Sequence, residues 1–475
     1  MRIVPSLLLF FSCSLGAAAT AAAQRAPERV LVGYWHNWGY PNSLPLTAIP
    51  DAYDVVDVAF AVPTAVHGAT MQFTPEPSIY PTAQGFADDV AALQAAGKKV
   101  LISIGGANHP VVVDSPADAQ AFASSMLQII TAYGFDGLDV DLEGSSFSLQ
   151  AGDADLRNPT TPRIVHFLSG LGQLLAQLPQ DFLLTAAPET AMVQGGMSAY
   201  AGVWGSYLPL LHAFRDRFDW VHVQHYNSGT MFGRDGQIYT PATVDFHVAM
   251  ADALIGGFTT ANGVPFAPLE PDQVAIGLPA STSAAGSGFT PAPSVHAALD
   301  RLMLGAPGGS YPLADPDGYP SLRGLMTWSV NWDVHAGLAF STPHRAYLDR
   351  VFLQAGAPSV PASSGGAVSL ALSAGRANAG RAYLLLASFS GSAPGTPLPG
   401  GPVLPLNVDA LTYLSANPAA AAFQDFVGAL DVDGAAAAQL VVPPVPLLAG
   451  REVSFAYALS PWDFASNSAR VTLTP

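Results

Sequence analysis

From Val30 to about Gly356, short runs of apolar and β-branched residues alternate with longer stretches whose apolar positions recur every three to four residues. The short runs predict strands over Val30–Trp35, Asp54–Ala61, Lys98–Ile104, Gly137–Glu143, Phe182–Ala187, Asp219–Tyr226, Gln273–Leu278 and Arg323–Ser329. The clearest helical stretches between them are Ala83–Ala96, Asp118–Tyr133, Pro162–Leu178 and Val244–Gly256, with a further helix expected near Ser294–Met303. Strands alternating with helices over about 300 residues predict an α/β protein built as a (β/α)₈ TIM barrel. An open doubly wound sheet is the competing arrangement. It usually brings a Gly-rich phosphate loop after the first strand, and no such loop follows Trp35.

The pattern changes after Gly356. Residues 357–366 (APSVPASSGG) have the composition of a linker. Residues 367–475 are rich in Ala, Leu, Val, Pro and Gly, and carry short alternating runs such as Ala382–Phe389 and Glu452–Ala458. These predict a small β-rich, sandwich-like domain. At the other end, Arg2, the apolar run Leu7–Leu15 and the small residues before Gln24 read as a signal peptide over residues 1–23, with cleavage after Ala23 and a secreted, extracellular product. Lipid attachment at Cys13 is the alternative, although Phe10 and Phe11 precede it where smaller residues suit that reaction. The barrel is therefore expected over residues 24–356.

Charge narrows the partners. The 475 residues carry a net charge of -17, which argues against nucleic acid and anionic membranes. A neutral or weakly cationic polymer is electrostatically acceptable. Cys13 is the only cysteine, so stability must come from core packing.

The most informative run is Phe135–Glu143, FDGLDVDLE. On a strand, Leu138, Val140 and Leu142 share one face, and Asp139, Asp141 and Glu143 the other, inside the barrel. Three carboxyls in a row on a buried face cannot all ionise cheaply. Glu143 comes last, at the C-terminal end of the strand, where barrel active sites lie, and is the candidate for an acid kept protonated near neutral pH. A metal site or a solvated acidic loop is the alternative reading of the three carboxyls.

The run resembles the DxxDxDxE signature of glycoside hydrolase family 18, the chitinase family. Ser103-Ile104-Gly105-Gly106 is similar to its SxGG motif. GYWHNW at Gly33–Trp38, KKVLISIGGAN at Lys98–Asn108, APET at Ala187–Thr190, QHYN at Gln224–Asn227 and LMTWSVNWD at Leu325–Asp333 resemble the bacterial chitinase D type, in the same order. The resemblance spans Val30 to Asp333; the tail lies outside it.

The resemblance implies a retaining, substrate-assisted hydrolysis without metal or cofactor, in which the substrate's own N-acetyl oxygen attacks the anomeric carbon. Glu143 would act as general acid and then base, Asp141 would bind the acetamido N–H, and Asp139 would share a proton with Asp141. Tyr34 and Ser103 would satisfy Asp139. Tyr226 would orient the acetamido oxygen, and Gln224, Asn227 and Trp328 would complete the substrate site, with Trp328 as its apolar floor. Taken alone, Tyr226 and Trp328 read equally as core aromatics, and His222 reads as a hydrogen-bonded core histidine. Ala186 stands where relatives usually carry Met, which implies a looser pocket floor. Asn227 stands where many carry Asp, which implies one charge fewer beside Glu143. The expected partners are chitin or N-acetylglucosamine oligomers, cut by a monomer in endo fashion. An endo-β-N-acetylglucosaminidase acting on N-glycans is the alternative within the family. A non-catalytic chitin-binding lectin is a further one, opposed by the intact acidic row.

Overall fold

The computed structural model describes residues 29–475 except 40–41, 305–307, 317, 320, 350–351, 375–377, 393, 400–402 and 433. The expected signal peptide and Cys13 lie outside the described residues. Eight parallel strands form the barrel: β1 (Val30–His36), β2 (Val55–Pro63), β3 (Lys99–Gly105), β4 (Gly137–Asp141), β5 (Leu183–Ala186), β6 (Trp220–Gln224), β7 (Val274–Pro279) and β8 (Gly324–Trp328). Each pairs with the next in sequence, and β1 pairs with β8 as well as β2, which closes the sheet. All eight predicted strands are present. Their alternation of apolar and polar positions survives because one face packs on helices and the other fills the barrel.

The helices between strands are α1 (Ala83–Ala95), α2 (Pro116–Tyr133), α3 (Pro162–Leu175), α4 (Leu208–Ala213), α5 (Val244–Gly256) and α6 (Ala292–Leu304). The β1–β2 connection holds only a 3₁₀ turn at Leu46–Ala48. After β8 come α7 (Val330–His335) and α8 (Ser341–Leu348). Local chemistry sets the ends of α2. Ser115 accepts the Asp118 N–H, Pro116 fits the first turn where no N–H is needed, and Gly134 takes the left-handed conformation that ends the helix. Ile164, Phe167, Leu171 and Leu174 form the buried stripe of α3, and Phe167 meets Phe122 of α2 with ring centres 5.3 Å apart. Truncating Phe167 to Ala would cost about 3–5 kcal/mol.

The barrel interior is a separate apolar cluster that includes Val32, Leu101, Leu183, Ala187, Trp220 and Met326. Ala186 is not part of it. It faces the helix layer, among residues such as Leu184 and Val221, because Thr185 and Ala187 on either side point inward. The expectation that Ala186 loosens the pocket floor is therefore overturned by strand alternation.

The tail is β-rich, as expected, but it starts earlier. Leu353–Ala355, expected in the barrel, pairs with Gly366–Ser373, and Asn467 bonds both backbone groups of Leu353. Ser359–Pro361, within the expected linker, pairs in parallel with Ala469–Thr474. A short edge strand tolerates Pro and Ser, so a linker-like composition concealed it. Two sheets result, one ordered around Gly366–Ser373 and Ala435–Val442, the other around Glu452–Leu459 and Ala382–Ser388. Val368, Leu370 and Leu372 alternate into the core with Leu385, Phe455 and Tyr457.

Candidate active site

β4 carries the acidic row. Leu138, Val140 and Leu142 pack outward into the helix layer, and Asp139 and Asp141 are buried inside. The strand ends at Asp141, yet Glu143 keeps extended geometry. Tyr207 holds that extension: its hydroxyl accepts the Leu142 N–H at 2.6 Å and donates to the Val140 carbonyl at 3.2 Å. The neighbouring strand end must be glycine. At Gly105 (φ +104) a Cβ would lie 2.2 Å from the Asp141 carbonyl oxygen, and Gly106, whose N–H donates to that same oxygen at 2.7 Å, has φ +70 and the Phe60 ring against it. The Ser-Ile-Gly-Gly run thus lets β3 approach the acids closely.

Asp139 is fully enclosed by donors. Tyr34 donates to Oδ2, Ser103 donates to Oδ2 at 2.7 Å, Thr185 donates to Oδ1 at 2.7 Å and His222 Nε2 lies 3.1 Å from Oδ1. Burial alone would raise the Asp139 pKa, but the bonds from His222, Tyr34 and Thr185 outweigh it and hold the carboxyl below the ordinary range. Tyr34 and Ser103 thus both touch Asp139. The Asp141 carboxyl bonds to Glu143.

Asp141 is pushed well above the carboxylate range by burial and by the charges of Glu143 and Asp139. Glu143 is partly buried and its pKa is raised, by burial first and by Glu189 as well, against opposing hydrogen bonds from Gln224 and Asp141. Gln224 holds the pair together: Nε2 lies 3.0 Å from Asp141 Oδ1, from Glu143 Oε1 and from the Ala187 carbonyl. Tyr226, just past β6, is buried, and its hydroxyl pKa is raised by burial and by Asp141 and Glu143.

Trp328 ends β8 and packs with ring centres 5.5 Å from Tyr34, 4.9 Å from His36, 6.1 Å from Trp38 and 6.0 Å from Phe60. This aromatic floor unites three strands and was only partly visible as GYWHNW and a lone Trp328. Asn227 directly follows Tyr226. It is exposed, has φ +49, and its Oδ1 accepts the Gly286 and Ser287 N–H groups at 2.9 and 3.2 Å. It braces the loop after β7. The acid whose charge raises the Glu143 pKa is Glu189, which the sequence displays within APET but which strand spacing alone does not mark. Thr185 on β5, Asp57 on β2 and Tyr207 just before α4 were also missed; none lies on the strand that carries the acidic row. Surface cavities of about 270 Å³ in the tail and about 810 Å³ beside α5 have no wall in common with these residues.

A closed (β/α)₈ barrel with paired buried carboxyls at one strand's C-terminal end defines a glycoside-hydrolase-like site. The description "Glycosyl hydrolases family 18" matches residues 30–288, and the chain belongs to that family. It is 49% identical over 329 residues to chitinase D of Niallia circulans, covering 68% of this chain and 62% of that one. It is 47% identical over 328 residues to chitinase Chi52 of Paenibacillus xylanexedens, with coverages of 68% and 62%. The chain thus spans about 62% of the length of these two relatives. Among solved structures, a family GH18 chitinase from Chromobacterium violaceum superposes with a TM-score of 0.63 at 38% identity, covering 69% of this chain and 85% of that one.

Proposed function

We propose that the protein is a secreted, endo-acting chitinase that hydrolyses β-1,4 bonds between N-acetylglucosamine units with retention, assisted by the substrate's acetamido group. The observation that carries this reading is the Asp139–Asp141–Glu143 row, with Asp141 and Glu143 held on one Gln224 amide. Family membership and the names of the relatives support the substrate class.

Glu143, raised by burial, would protonate the leaving oxygen and then deprotonate water. The proton that Asp141 shares with Glu143 would pass to Glu143, which delivers it to the leaving oxygen, and the Asp141 carboxylate so formed would accept the acetamido N–H as charge develops on that group. Tyr226 would orient the acetamido oxygen, and Trp328 would support the apolar face of the sugar. Asp139 keeps its charge on its own four donors and acts on Asp141 through space. Between Pro279 and Gly324 the described residues hold one helix, Ala292–Leu304, and no folded insertion that would wall the groove, which supports endo action. Arg2 and the apolar run to Leu15 support export.

Product analysis tests the proposal. Proton NMR of the first cleavage of N-acetylglucosamine oligomers should show a β-configured new reducing end. Deacetylated chitosan should resist cleavage, and chitin should be preferred to N-glycoproteins. An initially α-configured product, or release of N-glycans in preference to chitin fragments, would overturn it.

A further inference from the structure

Asp57 lies on β2 below the acidic row, completely buried, and neither carboxyl oxygen has a hydrogen-bond partner. A bare anion in that position is strongly disfavoured. The groups that face it come from three strands: Tyr34 on β1, Asp139 on β4 and His222 on β6. β7 and β8 contribute the apolar Ala275 and Met326 to the interior. Among the described residues, Asp139 is the one charged group that acts on Asp57.

His222 decides which of its two acidic neighbours is charged. Its Nδ1 accepts the Trp220 indole N–H at 3.0 Å, so that nitrogen holds no hydrogen of its own and the ring hydrogen sits on Nε2. Nε2 is 3.1 Å from Asp139 Oδ1 and 3.7 Å from Asp57 Oδ2. One N–H faces two carboxyls, and Asp139 takes it. Asp139 collects four donors and Asp57 none. The same hydrogen counting disfavours a metal ion, although ligand atoms of Asp57, Asp139 and His222 lie within 4.8 Å of one another. A metal on Nε2 would force the ring hydrogen onto Nδ1, pointing at the Trp220 N–H.

We propose that Asp57 is a positioning residue that works as a neutral carboxylic acid beneath the catalytic row: by keeping its proton it leaves the His222 N–H to Asp139 and leaves Asp139 the one anion on the barrel floor. An ionised Asp57 would compete for that N–H and set a second charge beside Asp139, altering the field under Asp141. Burial and the Asp139 charge push the Asp57 carboxyl far above its ordinary range, consistent with this geometry. The kinetic consequence rests on the proposed role of the acidic row; the protonation state does not.

The test uses the full chain and Asp57→Asn, which is isosteric and permanently neutral. Difference infrared spectroscopy at neutral pH should show a protonated-carboxyl stretch in the parent that Asp57→Asn removes. The pH dependence of stability gives the second readout. A raised folded-state pKa means the native protein keeps a proton that the unfolded chain releases above about pH 4. That stabilisation is full below the unfolded pKa and is lost as pH rises toward the folded one. Asparagine does not titrate, so the variant's Tm minus the parent's should grow as pH rises above about 4. Turnover of chitin oligomers near neutral pH should stay within about threefold, because no hydrogen bond is lost.

The proposal falls if no carboxyl band disappears, if the Tm difference shrinks with rising pH, or if folded Asp57→Asn loses more than about 100-fold in turnover. Should the amide variant not fold, Asp57→Leu serves: near-parental turnover supports a neutral role, and loss of turnover in folded protein overturns it. If the parent did not cleave chitin, the proposed function would fail while the infrared and stability readouts stood.

Discussion

The side-chain amide nitrogen of Gln224 lies 3.0 Å from Glu143 Oε1. Donation from that amide favours the ionised carboxylate and works against burial, which raises the Glu143 pKa. Gln224→Met removes the donor and keeps most of the volume. Glu143 should then hold its proton to higher pH, and the alkaline limb of the pH–rate profile should move upward. Turnover should fall by about tenfold or more, because the tether that sets the Glu143 position is gone. A limb that moved downward would contradict this role for the amide.

Glu143→Gln fills the same space without a transferable proton. Hydrolysis of chitin oligomers should drop by about 10²–10⁴-fold or more. Circular dichroism and oligosaccharide affinity should stay near those of the parent, since the amide can still meet Gln224. Near-normal turnover would remove Glu143 from the mechanism.

Glu189 adds negative charge near Glu143 and so raises its pKa, whereas Asn227 is occupied with the Gly286 and Ser287 amides. Glu189→Gln removes the charge. The Glu143 pKa should fall, and activity should be lost at lower pH on the alkaline side. Asn227→Asp preserves an acceptor for both loop amides, and its effect on the limb should be smaller than that of Glu189→Gln. A pH–rate comparison of the two variants decides between positions 189 and 227 as the acid-tuning site.

Gly105→Ala would place a methyl group 2.2 Å from the Asp141 carbonyl at φ +104. Strain and displacement together should cost about 2–4 kcal/mol of stability. Thermal denaturation should show the loss. Turnover should fall as well in the protein that remains folded, because β4 must shift to make room.

The barrel and tail have separate hydrophobic cores, and the last barrel helix ends at Leu348. A chain ending at Asp349 should therefore fold and cleave soluble oligomers at close to the parental kcat/KM. A chain ending at Gly356 leaves Leu353–Ala355 without its partner strand and should be the less soluble of the two. Loss of folding in the shorter chain would show that the tail supports the barrel.

Much of the barrel was legible because each strand announces itself locally. Alternation in FDGLDVDLE assigned the inward face of β4, and the same alternation, applied to LTAAPE, would have turned Ala186 outward. The tail boundary was hidden for the opposite reason: Ser359–Pro361 has one buried apolar residue, Val360, and becomes a strand only because Ala469–Thr474 lies beside it. The loop bonds of Asn227 were not legible, because a motif position gives neighbours in sequence, whereas its φ of +49 and its bonds to Gly286 and Ser287 depend on residues far along the chain.

The periodicity of the chain by itself determined the eight-stranded barrel and the inward row Asp139–Asp141–Glu143. These follow from residue spacing along single strands, which needs no partner to be read. Only the tertiary structure decided how the hydrogen-bond donors are shared among the buried carboxyls. Asp139 has donors from β1, β3, β5 and β6, Asp57 has none, and Asp141 shares Gln224 with Glu143. Closing the barrel brings those strands to within hydrogen-bond reach of one another, and in a buried site the number of donors on each carboxyl, weighed against desolvation, sets where the protons reside.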